Sequence, residues 1–331
     1  MVSVAVVQPL PGIGDMIWHL PHIRAISAHV GAPVTLVTKP RSAADQIFSA
    51  ERTVRDFVWL DRNPEGRKGG HDGLLGVPRA IAAIRARRFD AVYILHHSKT
   101  IAAMMALAGV PARYGYGYGI QKWFLNRPPL LADAVYKRHP FDQATAWLEA
   151  AGIPMDSAEP ELPVTGAAVS AVRARLAGIR RPVAIGIGSS EPYKQWGAAR
   201  FAALADALAA RGFGHAVVVG GSAEAGLAGE IQTLSKAAAI VPAIGWNLAE
   251  IAALFSLCAW YVGNDTGVMN MAAAVGRRTY GLFGGVAPFH HSRRIVPILP
   301  PGGVSKADGM ARLTVEQVLA EIARDQASVP A

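Results

Sequence analysis

The chain has 331 residues, of which 51% are hydrophobic, and this composition excludes a disordered protein. Its single cysteine, Cys258, excludes an internal disulfide framework. The formal net charge of +9 suits an anionic partner, but the basic residues form only short clusters without interleaved aromatic residues, which argues against nucleic acid. A phosphorylated glycolipid at an anionic membrane surface agrees better with this charge.

Two further features describe the setting. Cys258 lies in an apolar run, so we expect a buried thiol rather than a nucleophile, and a reducing cytoplasm fits a chain with one cysteine. The opening apolar run, residues 1–7, stops at Gln8 and Pro9 and lacks a basic start, so it predicts a strand rather than a signal peptide. No apolar run approaches the roughly 18 residues needed to span a bilayer.

Strands and helices are predicted to alternate in the first half of the chain. Short apolar runs suited to parallel strands are Ser3–Val7, Val34–Val37, Phe57–Leu60 and Ala91–Leu95. Helical patterns lie between them at Met16–Val30, Leu74–Arg88 and Thr100–Ala108. This alternation indicates one α/β unit.

A stretch rich in proline and acid, residues 154–163, precedes a second set of alternating elements. The predicted strands are Val183–Ile187, Ala216–Val219, Ala239–Pro242, Ala259–Val262 and Thr279–Phe283. The predicted helices are Ala198–Arg211, Ala223–Lys236, Leu248–Leu257, Val268–Val275 and a last one near Val315–Ala323, whose docking site cannot be read from the sequence. We therefore predict two doubly wound α/β domains, residues 1–160 and 161–331, with ligands at the carboxyl ends of the strands facing each other across a cleft.

The most informative run is residues 260–276, where a buried strand ends, the chain turns and a small-residue helix begins. Asp265 or Thr266 can cap this helix, and Gly267 lets an anion approach the backbone N–H groups at its start. We call residues 263–267 the phosphate corner. An ordinary capped helix after a strand explains the same pattern without a ligand.

Three other polar positions follow predicted strands. Asp15 follows Gly14 at the start of the first helix, where a carboxylate suits a general base or a cap equally. In the second domain Ser189, Ser190 and Lys194 follow the first strand and can hold a diphosphate, although a loop lysine is solvated by default. Glu224 follows the next strand and can accept both ribose hydroxyls or merely begin a helix.

Together these segments resemble glycosyltransferase family 9, the ADP-heptose:lipopolysaccharide heptosyltransferases. The matching runs are residues 14–21, Lys194-Gln-Trp196, Gly220-Gly221 with Glu224, Gly263-Asn-Asp-Thr-Gly267 continuing into residues 272–276, and residues 282–284. The resemblance spans nearly the whole chain. It implies a GT-B fold of two Rossmann-like domains, with the acceptor on the first and the nucleotide sugar on the second.

The resemblance also assigns roles. It implies an inverting transfer of a sugar, heptose first, from a nucleotide diphosphate donor, with ADP as the first candidate nucleotide, to a lipopolysaccharide-type acceptor, with Asp15 as base and no metal cofactor. The residues implied to act on the donor are Gly14, Ser189, Ser190, Lys194, Glu224, Asp265, Thr266, Gly267 and Asn270. Lys194 is also counted as catalytic because it would stabilise the leaving diphosphate. Peripheral contact with the inner face of the cytoplasmic membrane is implied with the lipid-linked acceptor.

The chain departs from the family pattern at a few positions. Many members carry histidine at the place of Asn270, and a proline commonly stands where Gly197 follows the tryptophan. Arg277 and Arg278 replace a proline-bearing step. These differences bear on the donor sugar rather than on the fold or the reaction type.

Three alternatives stay open at this point. The tract Tyr114–Gly119, which alternates tyrosine and glycine, predicts either a flexible sugar-stacking loop or an edge strand. The pairs His96-His97 and His290-His291 are interpreted as polar surface rather than metal ligands, because adjacent side chains point apart on a strand. A non-catalytic nucleotide-sugar or glycolipid binder is the second function hypothesis. A dinucleotide-dependent oxidoreductase fails on the missing Gly-x-Gly-x-x-Gly.

Overall fold

The computed structural model describes residues 2–62 and 68–328. The chain divides into two compact units, Met1–Pro160 and Glu161–Ala331. Each unit contains one parallel β-sheet with helices in the crossover connections. This is the predicted α/β class with two Rossmann-like domains, and that part of the prediction is confirmed.

The first unit is built on a five-stranded sheet. Its strands are β1 Val4–Val7, β2 Val34–Thr38, β3 Val54–Trp59, β4 Ala91–Ile94 and β5 Ala112–Gly115, in the order β3-β2-β1-β4-β5. Its α-helices are α1 Ile13–Trp18, α2 Leu20–Val30, α3 Ala44–Ile47, α4 Gly76–Ala86, α5 Lys99–Leu107 and α6 Pro140–Ala150. Short 3₁₀ helices occupy Pro40–Ser42, Gly119–Phe124 and Asp133–Val135. All four strand pairings are parallel.

The second unit is built on a six-stranded sheet. Its strands are β6 Val183–Gly186, β7 His215–Gly220, β8 Ala239–Ile244, β9 Tyr261–Asn264, β10 Thr279–Leu282 and β11 Ile295–Ile298, in the order β11-β10-β9-β6-β7-β8. Its α-helices are α7 Gly166–Arg175, α8 Ala198–Ala209, α9 Ala225–Leu234, α10 Leu248–Leu257, α11 Gly267–Ala274, α12 Gly309–Arg312 and α13 Val315–Ser328. Short 3₁₀ helices occupy Pro192–Lys194 and Ser222–Glu224.

The central strands form because both of their faces are covered. All four residues of β1 and of β6 are buried, as expected for near-continuous apolar runs in a parallel sheet. Helix α8 presents Phe201, Leu204 and Leu208 to the sheet at helical spacing, and all three are buried. Cys258 is the C-cap of α10, and its thiol is buried as expected. Burial raises the pKa of this thiol to about 12.

The last helix docks on the second sheet through both apolar and charged contacts. Val318 and Ile322 of α13 join the core of this unit. Arg278 donates from Nε to Asp325 at 2.8 Å and forms an ion pair with the same carboxylate, while the Tyr280 hydroxyl donates to it at 3.0 Å. Arg278, one of the positions noted in the sequence analysis, thus holds α13 against the second sheet. The sequence alone did not reveal this docking site.

Of the two structures predicted for the tract Tyr114–Gly119, the molecule shows the edge strand with packed tyrosines rather than the flexible loop. Tyr114 belongs to β5 at the edge of the first sheet, and its ring stacks on Tyr93 at 4.6 Å between centroids. Tyr116 and Tyr118 are buried. The tract is therefore part of the packing rather than a free loop.

Candidate active site

In each sheet, the strand order reverses at one point, and such points are where doubly wound sheets bind ligands. In the first unit the reversal falls between β1 and β4, and in the second between β6 and β9. Asp15 follows β1, while Lys194 follows β6 and Asp265 follows β9. The topology therefore brings the residues predicted from the sequence to the two positions where a ligand is expected.

Asp15 lies in the first turn of α1, three residues after the N-cap Gly12. Its Oδ2 accepts a hydrogen bond from the Gly12 backbone N–H at 3.2 Å. Burial raises the pKa of this carboxyl, and the Gly12 N–H offsets that effect only in part. A partly buried carboxylate with a raised pKa is better suited to accept a proton near neutral pH than an ordinary surface aspartate.

A buried, neutral imidazole lies behind Asp15. His19 Nδ1 is 2.7 Å from the Asp15 backbone oxygen and 3.1 Å from Gln8 Nε2. Burial, the main cause, lowers the pKa of His19 to about 4, so this ring carries no charge at neutral pH. Because His19 is neutral, it does not stabilise the ionised form of Asp15. Sequence reasoning missed Gln8 and His19, since only the contact between β1 and α1 joins them.

A pocket of about 400 Å³ opens in the first unit between β1, β4 and the elements that follow them. Pro9 and Pro11, on the segment between β1 and Asp15, form part of its wall. Its polar lining consists of Lys39, Arg62, His71, His96, Ser98 and Thr100. Two permanent cations and several hydroxyl and imidazole donors in one pocket suit a polyhydroxylated ligand that carries negative charge.

The expectation that adjacent histidines point apart was wrong. The His96 and His97 rings stack with centroids 4.3 Å apart, because β4 ends at Ile94 and the pair lies on the bend that follows rather than on a strand. His291 is buried, and its ring stacks on Phe289 at 5.2 Å. Burial also lowers the pKa of His96 to about 4.

The second unit joins two of the predicted donor residues directly. Lys194 Nζ lies 2.6 Å from Asp265 Oδ2, with each side chain less than one fifth exposed. Lys194 ends the 3₁₀ helix Pro192–Lys194, and Asp265 belongs to the phosphate corner. The pair connects the segment after β6 with the end of β9, the two strands that flank the topological switch point.

The same two segments are joined by a buried amide that sequence reasoning missed. Asn264 Nδ2 donates to the carbonyls of Ile187 at 3.1 Å and Gly188 at 3.2 Å, and lies 3.2 Å from Gln195 Oε1. Gln195 Nε2 in turn donates to the Ile187 carbonyl at 2.9 Å. These bonds fix the backbone that leads to Ser189 and Lys194. Nothing local in the sequence distinguishes this asparagine from an ordinary turn residue.

The remaining predicted donor residues lie at the same edge of the second sheet, except Gly14, which is buried in α1 of the first unit. The Ser189 hydroxyl donates to the Glu191 carbonyl at 2.6 Å, and Ser190 is exposed. Glu224 ends the 3₁₀ helix after β7 and is half-buried.

Thr266 is the N-cap of α11, and Gly267 is its first residue. The Thr266 hydroxyl is buried. Asn270 is buried and donates from Nδ2 to the Thr266 carbonyl at 3.1 Å. The Asn270 side chain thus contacts the backbone of the phosphate corner.

Within residues 2–62 and 68–328, no group of three or more histidine, cysteine, aspartate or glutamate side chains is arranged to hold a metal ion. Over the same part of the chain, no helix is both long and apolar enough to cross a membrane.

Comparison with known proteins decides the family. The family model described as glycosyltransferase family 9 (heptosyltransferase) matches residues 77–297. This chain belongs to glycosyltransferase family 9. It is a glycosyltransferase of the heptosyltransferase type, as the sequence resemblance implied. A search of the curated proteins found no match.

Solved structures show that this family 9 chain has the GT-B fold. E. coli ADP-heptose lipopolysaccharide heptosyltransferase II is 21% identical with a TM-score of 0.79, covering 99% of this chain and 100% of that one. A family 9 glycosyltransferase from Veillonella parvula is 18% identical with a TM-score of 0.80, covering 98% and 96%. E. coli heptosyltransferase WaaC, solved with ADP-2-deoxy-2-fluoro heptose, is 18% identical with a TM-score of 0.75, covering 98% and 100%.

Proposed function

We propose that this glycosyltransferase moves a heptose from an ADP-type nucleotide sugar to a lipopolysaccharide-type glycan acceptor, with inversion at the anomeric carbon. In this proposal, residues 1–160 bind the acceptor and residues 161–331 bind the donor. The observation that carries the proposal is Asp15, a carboxyl whose pKa burial raises, in the helix that follows the wall segment Pro9–Pro11 of a polar pocket at the switch point of the first sheet. That position suits a general base acting on an acceptor hydroxyl.

The proposed reaction is a single displacement. The Asp15 carboxylate removes the proton of an acceptor hydroxyl while that oxygen forms a bond to the anomeric carbon. The bond from this carbon to the diphosphate oxygen breaks, and the nucleotide diphosphate leaves with the electron pair. Because attack and departure occur on opposite faces of the sugar, the configuration inverts.

The donor side must stabilise charge that grows on the departing diphosphate. Lys194 is a basic residue at the switch point of the second sheet, and the first-turn N–H groups of α11 are free of partners within the helix. We assign the diphosphate to Lys194, Ser189, Ser190, Thr266 and Gly267, with no divalent ion in the scheme. The role of Gly14 in donor binding stays a prediction from the sequence resemblance.

Two of the predicted donor residues, Glu224 and Asp265, are acidic and are expected to contact an uncharged part of the donor. A carboxylate repels a diphosphate, but it accepts hydrogen bonds from hydroxyls. We therefore assign Glu224 to the ribose and Asp265 to the sugar hydroxyls, in addition to its bond with Lys194. Asn270 positions the phosphate corner through the Thr266 carbonyl, and it cannot become cationic as a histidine can.

Solved relatives supply the first donor to test. E. coli WaaC, whose fold this chain shares, has been solved with ADP and with ADP-2-deoxy-2-fluoro heptose. For the acceptor, the net charge of +9 and the cations of the first-unit pocket favour a phosphorylated, lipid-linked glycan. We propose that the enzyme meets this acceptor on the cytoplasmic face of the inner membrane.

A thermal-shift screen of ADP, UDP, GDP and their sugars tests the donor, because a ligand that binds only the folded state raises stability as RT ln(1 + [L]/Kd). We expect ADP and ADP-heptose to give the largest shifts. Mass spectrometry of a lipopolysaccharide core acceptor incubated with ADP-heptose should then show the mass of one added heptose. A larger shift with UDP or GDP sugars, or no added heptose, would overturn the assignment.

A further inference from the structure

The first unit exposes an apolar surface beside the proposed acceptor site. Within residues 119–138, Ile120 is 55% exposed, Trp123 is 76% exposed, Leu130 is 50% exposed and Tyr136 is 48% exposed. We call these four side chains the Trp123 surface. A tryptophan exposed to this degree on an ordered element is uncommon, because its ring is one of the largest apolar groups that a chain can bury.

The structure holds this tryptophan outward. Ile120 and Trp123 are three residues apart in the 3₁₀ helix Gly119–Phe124, and side chains at this spacing eclipse each other on one face. Gln121 lies between them and is fully buried. Its Nε2 donates to the His96 carbonyl at 2.7 Å, and its Oε1 accepts from the Gly117 N–H at 2.8 Å. Burial of Gln121 therefore forces the two apolar neighbours to the outside.

The other two members adjoin the same segment. Leu130 packs over Gly117, where an added Cβ would lie 2.6 Å from the Leu130 Cδ2 atom. The Tyr136 ring packs edge-on against Tyr118 at 5.1 Å. Since Gly117 and Tyr118 lead directly into the 3₁₀ helix, all four apolar side chains surround one short stretch of backbone.

The charge around this surface is strongly positive. Between residues 119 and 138 the exposed basic residues are Lys122, Arg127, Lys137 and Arg138, and the one acidic residue is Asp133. None of the four cations forms an ion pair with any residue that the structure describes. Lys122 Nζ lies 5.7 Å from the centre of the Trp123 ring. Exposed apolar and aromatic side chains on a segment that carries four basic residues and one acidic residue match the chemistry of an anionic bilayer surface.

We propose that the Trp123 surface docks this enzyme on an anionic phospholipid bilayer. Trp123 and Ile120 enter the interfacial layer, while the four cations contact lipid phosphates. Gln121 links the surface to the His96 carbonyl at the carboxyl end of β4, which belongs to the wall of the acceptor pocket. Docking therefore presents that pocket to a lipid-linked acceptor. The biological role of this docking rests on the proposed function, but vesicle binding can be measured whether or not the enzyme transfers a sugar.

Vesicle binding by the full chain tests the proposal. Co-sedimentation is compared for vesicles of phosphatidylglycerol with phosphatidylethanolamine and for vesicles of phosphatidylcholine alone. Ile120→Ser with Trp123→Ser should weaken binding to the anionic vesicles by about 10- to 100-fold, from the loss of buried apolar area. Lys122→Gln with Arg127→Gln should weaken it by about tenfold or more, since each basic residue contributes about 1 kcal/mol near such a surface.

Matched controls lie in the second unit. Leu234→Ser removes a leucine that is 41% exposed, and Arg180→Gln with Arg181→Gln removes two exposed cations. Both controls should bind vesicles like the wild type. Equal binding by the Ile120/Trp123 variant, or an equal loss in the controls, would overturn the proposal. A dimer that the Trp123→Ser change dissociates, seen by sedimentation velocity, would also overturn it by making the surface an interface between two copies.

Failure of docking and failure of the proposed function are separable. The Ile120/Trp123 variant should still bind ADP and glycosylate a water-soluble acceptor fragment at the wild-type rate. If wild type transfers no sugar to any acceptor but binds vesicles through Trp123, the proposed function fails and docking stands. If transfer occurs and the variant binds vesicles normally, docking fails alone.

Discussion

Lys194 and Asp265 form an ion pair across the topological switch point of the second sheet, with 2.6 Å between the ammonium and the carboxylate. The proposed diphosphate site thus contains a cation that is already paired with an acid of the phosphate corner. Binding of a diphosphate must share or replace that partner, so the two side chains should affect donor affinity in opposite directions.

Lys194→Ala should weaken ADP binding by about 10- to 100-fold, because it removes a charge-assisted hydrogen bond to phosphate. Asp265→Asn should strengthen ADP binding, since Lys194 then has no competing carboxylate. The same variant should lose preference for ADP-heptose over ADP if Asp265 binds sugar hydroxyls. Isothermal titration calorimetry with both ligands measures these effects. Unchanged ADP affinity in Lys194→Ala, or weaker ADP binding in Asp265→Asn, would contradict these roles.

Asp15→Asn should slow transfer by about 10²- to 10⁴-fold, as expected for the loss of a general base, while ADP affinity is kept. In the wild type, activity should fall as the pH decreases through the raised pKa of Asp15, above the usual value for aspartate. A pH profile of kcat for the wild type measures this acidic decrease in activity. The residual activity of Asp15→Asn should not decrease over the same pH range.

Thermal unfolding separates a base from a helix cap at Asp15. Because the folded state raises the pKa of this acid, ionisation at neutral pH opposes folding, and stability decreases as pH rises through the shifted range. Asn keeps an oxygen that can accept from Gly12 but carries no charge, so Asp15→Asn should unfold at a higher temperature than the wild type. A clear loss of stability with intact turnover would make Asp15 a cap.

Gly197→Ala should destabilise the protein by about 1–3 kcal/mol, because Gly197 has φ 99° and ψ 153°, a conformation nearly restricted to glycine. Proline, which is fixed near φ −65°, could not occupy this backbone conformation either. Gly229→Ala is the matched control. Gly229 lies inside α9 with nothing within 4 Å of an added Cβ, so it should gain about 0.5–1 kcal/mol. Urea unfolding of both variants checks the contrast.

Asp325→Ala should cost about 1–3 kcal/mol, because it removes hydrogen bonds from Arg278 and Tyr280 to a charged acceptor. Arg278 holds the pKa of Asp325 below its usual range, so this contribution is present above that range and is lost as the pH falls through the folded-state pKa. Arg324→Ala breaks an exposed pair one residue away and should change stability by no more than about 0.5 kcal/mol. Equal losses in the two variants, measured by urea unfolding at neutral and acid pH, would refute the assignment.

The central strands and the longer helices could be predicted because burial on both faces leaves continuous apolar runs, as in β1 and β6. The strand β11 was missed, and β5 was predicted only in part, as the edge-strand alternative for the tract Tyr114–Gly119. Both lie at sheet edges, where Arg113 and Pro297 are tolerated because one side of the strand needs no partner. Helix α6 was missed because its N-cap is His139, which is not one of the usual capping residues.

The candidate site also contains features that the sequence could predict and features that it could not. Asp15, Lys194 and the phosphate corner could be proposed from the sequence because each lies in the segment at or after the end of a strand, and strand ends in parallel sheets share one edge. The pairing of Lys194 with Asp265 joins residues far apart in the sequence, and so do the bonds from Asn264 to the Ile187 carbonyl and from Gln121 to the His96 carbonyl. Such bonds depend on strand order, which a local pattern does not encode.

The ion pair between Arg278 and Asp325 affects the order in which the two units fold while the chain is being synthesised. The described part of the first unit uses only residues up to 160, so its sheet can close while the rest of the chain is still being synthesised. The second unit needs Val318 and Ile322 for its core and Asp325 for the ion pair with Arg278. The half that we propose to bind the donor therefore becomes complete only after its last helix has been synthesised, later than the half with the proposed base.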